Sequence, residues 1–195
     1  MDISDCEQLQ VLHIKNMVCP RCIKVVRDEL ESIGLKVLDI ALGSTTVCVP
    51  EKVTEEAIQL VLEQNGFTLL HDNQDELVEQ IKVMVIDLIY QDKLPHLKTT
   101  ISTYLADELA RDYTTISAAF KAVEEISLHR YIVLQKIERA KELLEYNEQN
   151  VSEIAHRLGY RSVQHLSAQF KEVTGVTPLH YRNQGGPARK PINEI

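Results

Sequence analysis

Apolar and polar residues alternate over 9–15 (LQVLHIK), with Leu12 and Ile14 to one side and His13 and Lys15 to the other, which predicts a strand. After the turn NMVCP, Ile23, Val26, Leu30 and Ile33 recur at helical spacing and Gly34 supplies a stop. Residues 36–42 and 45–49 are short apolar-rich runs about Gly43-Ser44, the pattern of a hairpin with Val47 and Val49 inward and Cys48 outward. Thr54, followed by Glu55-Glu56, starts a second helix with an apolar face of Ile58, Val61 and Leu62, and Gly66 ends it. Residues 67–71 (FTLLH) read as a last short strand.

Strand, helix, strand, strand, helix, strand is the order of a split βαββαβ, or ferredoxin-like, unit. Residues 72–75 (DNQD) are a polar break and read as a short linker. Beyond it the periodicity is helical throughout. Leu77, Val78, Ile81, Val85 and Leu88 mark one helix, and residues 99–126 hold two or three short ones. Residues 128–146 form the longest, with Val133, Ile137, Ala140 and Leu144 on one face, and residues 151–172 return to short helices. The closing segment 184–195 contains QGGPARKP, a composition expected to be disordered. The expected class is therefore α+β: a ferredoxin-like domain over 1–72, an all-α domain over 73–183 and a disordered tail over 184–195. The helical part also repeats itself. Ser117-Ala118-Ala119-Phe120-Lys121 matches Ser167-Ala168-Gln169-Phe170-Lys171, and Leu105-Ala106 precedes the first block much as Ile154-Ala155 precedes the second. Each copy reads as helix, tight turn and helix, so the chain holds two copies of one binding unit.

Charge changes this picture in one respect. The net charge of −8 argues against nucleic acid, but it is unevenly spread. Residues 1–79 hold 6 Lys/Arg against 15 Asp/Glu, whereas residues 80–195 hold 15 against 14. The acidity belongs to the first part, and the helical part is near neutral. There is no apolar run of membrane-spanning length, and the start MDISDCEQLQ has no basic-then-apolar signal pattern. The expectation is a cytoplasmic chain without membrane or secretory segments.

The helical part resembles a known family. Arg139-Ala140-Lys141-Glu142-Leu143-Leu144, Ile154-Ala155, Leu158-Gly159-Tyr160, Phe170-Lys171, Gly175, Pro178 and Tyr181-Arg182 together resemble the signature of AraC/XylS-type transcription regulators, over roughly residues 77–182. The resemblance implies two helix-turn-helix motifs joined by a long helix, here 128–146, that places them in successive major grooves of duplex DNA. In the second motif Ile154, Ala155 and Leu158 make the inner face, Gly159 allows the turn and Ser162 caps the recognition helix. Leu166 and Phe170 anchor that helix. This leaves Arg161, Ser162, Gln164, His165 and Lys171 as candidate DNA contacts. The first copy would present Thr114, Thr115 and Lys121. Family members often carry Arg just after the Ser of each recognition helix, where this chain has Ala118 and Ala168.

A second resemblance covers roughly residues 9–71. Met17-Val18-Cys19-Pro20-Arg21-Cys22, between the first strand and first helix, is similar to the Met-x-Cys-x-x-Cys of the heavy-metal-associated domains of copper chaperones and metal-pumping ATPases. Cysteines at i and i+3 on a loop-to-helix junction can aim both sulfurs at one ion, and the helix N-terminus favours thiolate. Two thiolates suit a soft ion such as Cu(I), whereas structural zinc wants four ligands. Cys19 and Cys22 are thus the candidate metal ligands, Met17 a buried prop beneath the loop, and Cys6 and Cys48 bystanders. Pro20-Arg21 is bulkier than the small polar pair common in metal carriers, and Arg21 either steadies the thiolates or resists the cation.

These readings combine into a two-domain regulator that binds double-stranded DNA through the major groove and responds to Cu(I) or another soft metal ion. Binding at Cys19 and Cys22 would alter how the first domain packs on the second or on a partner, with RNA polymerase and a metal-delivery protein as further candidates. Three alternatives stay open: a metal chaperone or thiol redox sensor whose helical domain binds a protein, a metal-free relic of the metal site, and a plain helical bundle. No Ser/His/Asp set, phosphate-cradling glycine loop or paired carboxylates stand out, so an enzyme is not expected.

Overall fold

The computed structural model describes residues 8–184 and 186–195, and the chain divides into two compact units, 1–83 and 84–195. The first unit runs β1 (Gln8–Lys15), α1 (Pro20–Ser32), β2 (Lys36–Ala41), β3 (Ser44–Val49), α2 (Glu55–Glu63) and β4 (Thr68–Leu70). The strands form one antiparallel sheet in the order β2-β3-β1-β4. Its core is made by Leu12 and Ile14 of β1, Val26 and Leu30 of α1, Val47 of β3, and Ile58 and Leu62 of α2. Local chemistry sets the element ends. Pro20 opens α1 at the first helical position, where its missing N–H costs nothing. Thr54 caps α2 by accepting from the Ala57 N–H.

Three sequence expectations fail in this unit. The hairpin turn is Leu42-Gly43 rather than Gly43-Ser44, because Ser44 already pairs with Ala41 and His13. Cys48 does not face outward: it is 6% exposed and disulfide-bonded, with Val47 and Val49 also buried, so both faces of β3 are covered at that end. Cys6 lies outside the described residues. Finally, DNQD is no linker. Asn73 begins helix α3 (Asn73–Tyr90), with Asp75 and Glu76 in the first turn, where carboxylates favour the helix dipole, and the Asp72 carboxylate accepting from the Gln74 N–H. The compact units part inside α3, at Val83/Met84.

The second unit takes up the rest of α3 and continues through a 3-10 turn (Leu94–His96), α4 (Ile101–Glu108), α5 (Tyr113–Glu124), α6 (Leu128–Tyr146), α7 (Val151–Arg157), α8 (Val163–Thr174) and α9 (Pro178–Gln184). Helix α6 is the axis of this unit and buries residues all round, including Leu128, Tyr131, Ile137, Ala140 and Leu144. The expected tail disorder is also overturned. Residues 186–195 lie along α6 and satisfy its buried polar groups. The Gln135 amide donates to the Ile192 carbonyl at 3.1 Å, Lys141 to the Ala188 carbonyl at 3.2 Å, and the Lys190 N–H donates to Glu138 at 3.0 Å. Glu138 and Lys141 themselves pair at 2.6 Å. A segment rich in Gly and Pro is ordered here because α6 offers it partners that would otherwise be buried without them. Among the described residues no helix is long and apolar enough to cross a membrane.

Candidate nucleic-acid interface and thiol site

The internal repeat becomes geometry in the second unit. Helices α5 and α8 are both 12 residues long and start 50 residues apart. Ile116 and Leu166 are buried at matching places, as are Phe120 and Phe170. Each phenylalanine meets a tyrosine of the following helix: Phe120 with Tyr131 at 5.1 Å and Phe170 with Tyr181 at 5.5 Å between ring centroids. The turn before each recognition helix closes with the same hydrogen bond, Arg111 N–H to Ala106 carbonyl and Tyr160 N–H to Ala155 carbonyl. The residue bearing positive φ is Ala110 (+48°) in the first and Gly159 (+67°) in the second.

Anchoring one face leaves the other to solvent. Thr114, Thr115, Ala118 and Lys121 of the first motif are exposed, and so are Arg161, Ser162, Gln164, His165, Ala168 and Lys171 of the second. The Ser162 hydroxyl accepts from the His165 N–H at 3.2 Å, so it serves as a cap. Thr115 donates to Asp112 at 3.4 Å. Arg161 and His165 line a cleft that the other candidate contacts do not reach, together with Lys136 of α6 and Gln169. The loop forming its far wall is held by Arg157, which forks onto both carboxylate oxygens of Asp92 at 2.5 and 2.6 Å. Two residues of this surface escaped the sequence reading, Gln169 and Lys136. The signal for the second was present: Lys136 falls three and four residues after Val133 and Ile132, so a lysine sits on an apolar stripe.

In the first unit the loop between β1 and α1 brings Cys19 and Cys22 together, with 3.4 Å between sulfurs, and both are free thiols. Cys19 is the N-cap residue of α1 and Met17 beneath it is fully buried. Asn16, at φ +75°, starts the loop and donates its N–H to Glu79 at 3.0 Å. The two thiols are driven apart in acidity. Burial raises the Cys19 thiol, but hydrogen bonds from Cys22 and Arg21 and the Arg21 charge outweigh it and hold Cys19 below its usual value. Burial and the bond to Cys19 push Cys22 up. Among the described residues no group of three or more His, Cys, Asp or Glu is arranged to hold a metal ion. The donor set fits a soft two-coordinate ion and not a four-ligand zinc.

Comparison with known proteins bears on the second unit. Residues 105–184 match the family model for a helix-turn-helix domain. A putative AraC-like transcription regulator from Streptomyces lividans is 37% identical over 78 residues, 40% of this chain and 26% of that protein. The uncharacterized HTH-type transcriptional regulator YdeC of Bacillus subtilis is 29% identical over 122 residues, 60% of this chain and 40% of that protein. The chain thus spans less than half the length of the curated relatives it matches. Among solved structures, the C-terminal domain of AraT, a response regulator from Geobacillus stearothermophilus, shares the fold at a TM-score of 0.51 and 24% identity, over 62% of this chain and 94% of that one. The paired motifs, the helix between them and the family match identify residues 105–184 as a helix-turn-helix domain, similar to that of an AraC-like regulator.

Proposed function

We propose that this chain is a DNA-binding transcription regulator whose helices α5 and α8 read duplex DNA in the major groove. The observation that carries the reading is the duplicated anchoring of these helices, which leaves two polar arcs, Thr114-Thr115-Lys121 and Arg161-Gln164-His165-Lys171, free on one construction. The relatives that share this domain are named as transcription regulators. Gln164 can pair with adenine and Arg161 with guanine, while Lys121 and Lys171 suit phosphate. Ala118 and Ala168 offer no polar group, so the contacts available are fewer and the salt dependence correspondingly shallow.

The same proposal takes the first unit as a ferredoxin-like domain of heavy-metal-associated type, supported by its element order and by the β2-β3-β1-β4 sheet. Cys19 and Cys22 would hold Cu(I) between their sulfurs, and Arg21 would steady the resulting negative site. The opposed acidities of the two thiols favour one rival, redox sensing, in which an oxidant such as a peroxide takes two electrons as the two thiols lose their protons and form a disulfide.

Selection of bound sequences from random duplexes, with and without Cu(I), tests both halves. The expected result is an enriched motif whose recovery changes with the ion, and Gln164→Ala relaxing one position of it by roughly 1–3 kcal/mol. Absence of any salt-dependent DNA binding at low ionic strength removes the regulator reading. A chain that cannot take copper from a weak chelator yet closes a Cys19–Cys22 disulfide readily is a redox sensor.

A further inference from the structure

The cleft beside α8 has a volume of about 630 Å³, well above a packing defect and within the range of small-molecule sites. Leu94, Leu97, Ile132 and Val133 give it apolar walls, and no Asp or Glu lines it. Its charged groups are all basic or potentially so: Lys136 and His129 of α6, Arg161 before α8, and His165 on α8. Lys136 is the unusual member. Its Nζ lies 5.1 Å from the centre of the Tyr160 ring and would sit 3.8 Å from a Cβ placed on Gly159, under the turn of the second motif. Burial lowers its pKa from 10.5 to about 8, and no carboxylate acts on it among the described residues. An aromatic face offsets a desolvated ammonium only in part. Beside it, the Tyr160 hydroxyl is buried with no hydrogen-bond partner among the described residues. A half-hidden cation without a counter-charge costs stability unless something supplies one.

We propose that this cleft binds a small organic monoanion, an aliphatic or aromatic carboxylate, with its charged end on Lys136 and its apolar body against Leu94, Leu97, Ile132 and Val133. A phosphate of duplex DNA fits the place less well. It rides on a hydrated polyanionic backbone and would have to give up water to apolar walls, whereas a small carboxylate brings apolar surface of its own. Because Arg161 and His165 line the same cleft, an occupant changes what α8 presents to a duplex, and this regulatory consequence, unlike the binding itself, rests on the DNA reading above.

The test uses the full chain and two probes of similar body, the sulfonate 1-anilinonaphthalene-8-sulfonate and the uncharged N-phenyl-1-naphthylamine. The expected result is one sulfonate probe per chain, weakened tenfold or more by Lys136→Met and largely restored by Lys136→Arg. The uncharged probe should bind all three proteins alike, and decanoate should displace the sulfonate. Unchanged sulfonate binding by Lys136→Met, or equal loss of both probes, overturns the proposal. Displacement by duplex DNA but not by decanoate also overturns it, and makes Lys136 a backbone contact. Displacement by decanoate from a protein that binds no DNA supports the cleft and removes only the DNA reading.

Discussion

The two helix-turn-helix motifs solve one packing problem with different residues at the turn. The first places Ala110 at positive φ and caps α5 with Asp112, whose side chain makes no capping bond, while the second uses Gly159 and a bonded Ser162. From Ala110 to the cap is two residues, and from Gly159 it is three, so the second turn is one residue longer, and Tyr160 stands where the first turn has Arg111. Tyr160 shields Lys136 and helps to wall the cleft. Shared anchors thus define the scaffold, and the turn is where the copies differ.

The largest expected effect tests the shared part. Phe120→Ala and Phe170→Ala each remove a fully buried ring, and each should cost about 3–5 kcal/mol. Urea titration of the two variants checks this, and a loss confined to one of them breaks the equivalence of the motifs. Next comes Lys136→Met, which should stabilise the chain by roughly 1–3 kcal/mol at pH 7. The sign follows from proton counts. Between about 8 and 10.5 the unfolded chain holds more protons on Lys136 than the folded one, so wild-type stability rises with pH across that window. The advantage of the variant should therefore be full below pH 8 and shrink above it, which thermal melts at several pH values would follow.

Smaller effects separate the turns. Gly159→Ala should cost about 1–2 kcal/mol, since its φ is left-handed, and Ala110→Gly should gain up to about 1 kcal/mol for the same reason. Equal and opposite responses would show that backbone strain alone distinguishes the turns; an excess at Gly159 would point to Leu94, 3.5 Å from a Cβ there. Last, Ser162→Ala should cost about 1 kcal/mol and Asp112→Ala less, because only Ser162 satisfies a helix N–H. Denaturant midpoints of the pair decide it.

Much of this architecture is legible in the sequence wherever a residue's local role and its tertiary role coincide. The limits of α6 follow from periodicity, Thr54 and Ser162 cap as their positions predict, and the spacing of Cys19 and Cys22 at a strand-to-helix loop brings the sulfurs together. Legibility fails where the decisive partner is distant. DNQD is polar enough for a loop, yet its acids suit a helix start. The Gly/Pro-rich tail is ordered by Gln135, Glu138 and Lys141, some fifty residues away. Alternation on β3 assumes one covered face, and Cys48 sits where both are covered. Lys136 stands on an apolar stripe in the sequence, but nothing local lays the turn at Gly159 over it.

Unequal turns and unlike arcs have a consequence for orientation. One polypeptide carries a threonine-rich arc and a glutamine-histidine arc in fixed order, with a single helix between them. If the proposed DNA reading holds, such a chain would tell the left end of a binding site from the right, so inverting the site would alter recognition even with its base composition unchanged. On that reading a palindrome would hold no privilege for a single chain, and the direction in which it lay on DNA would become part of the message.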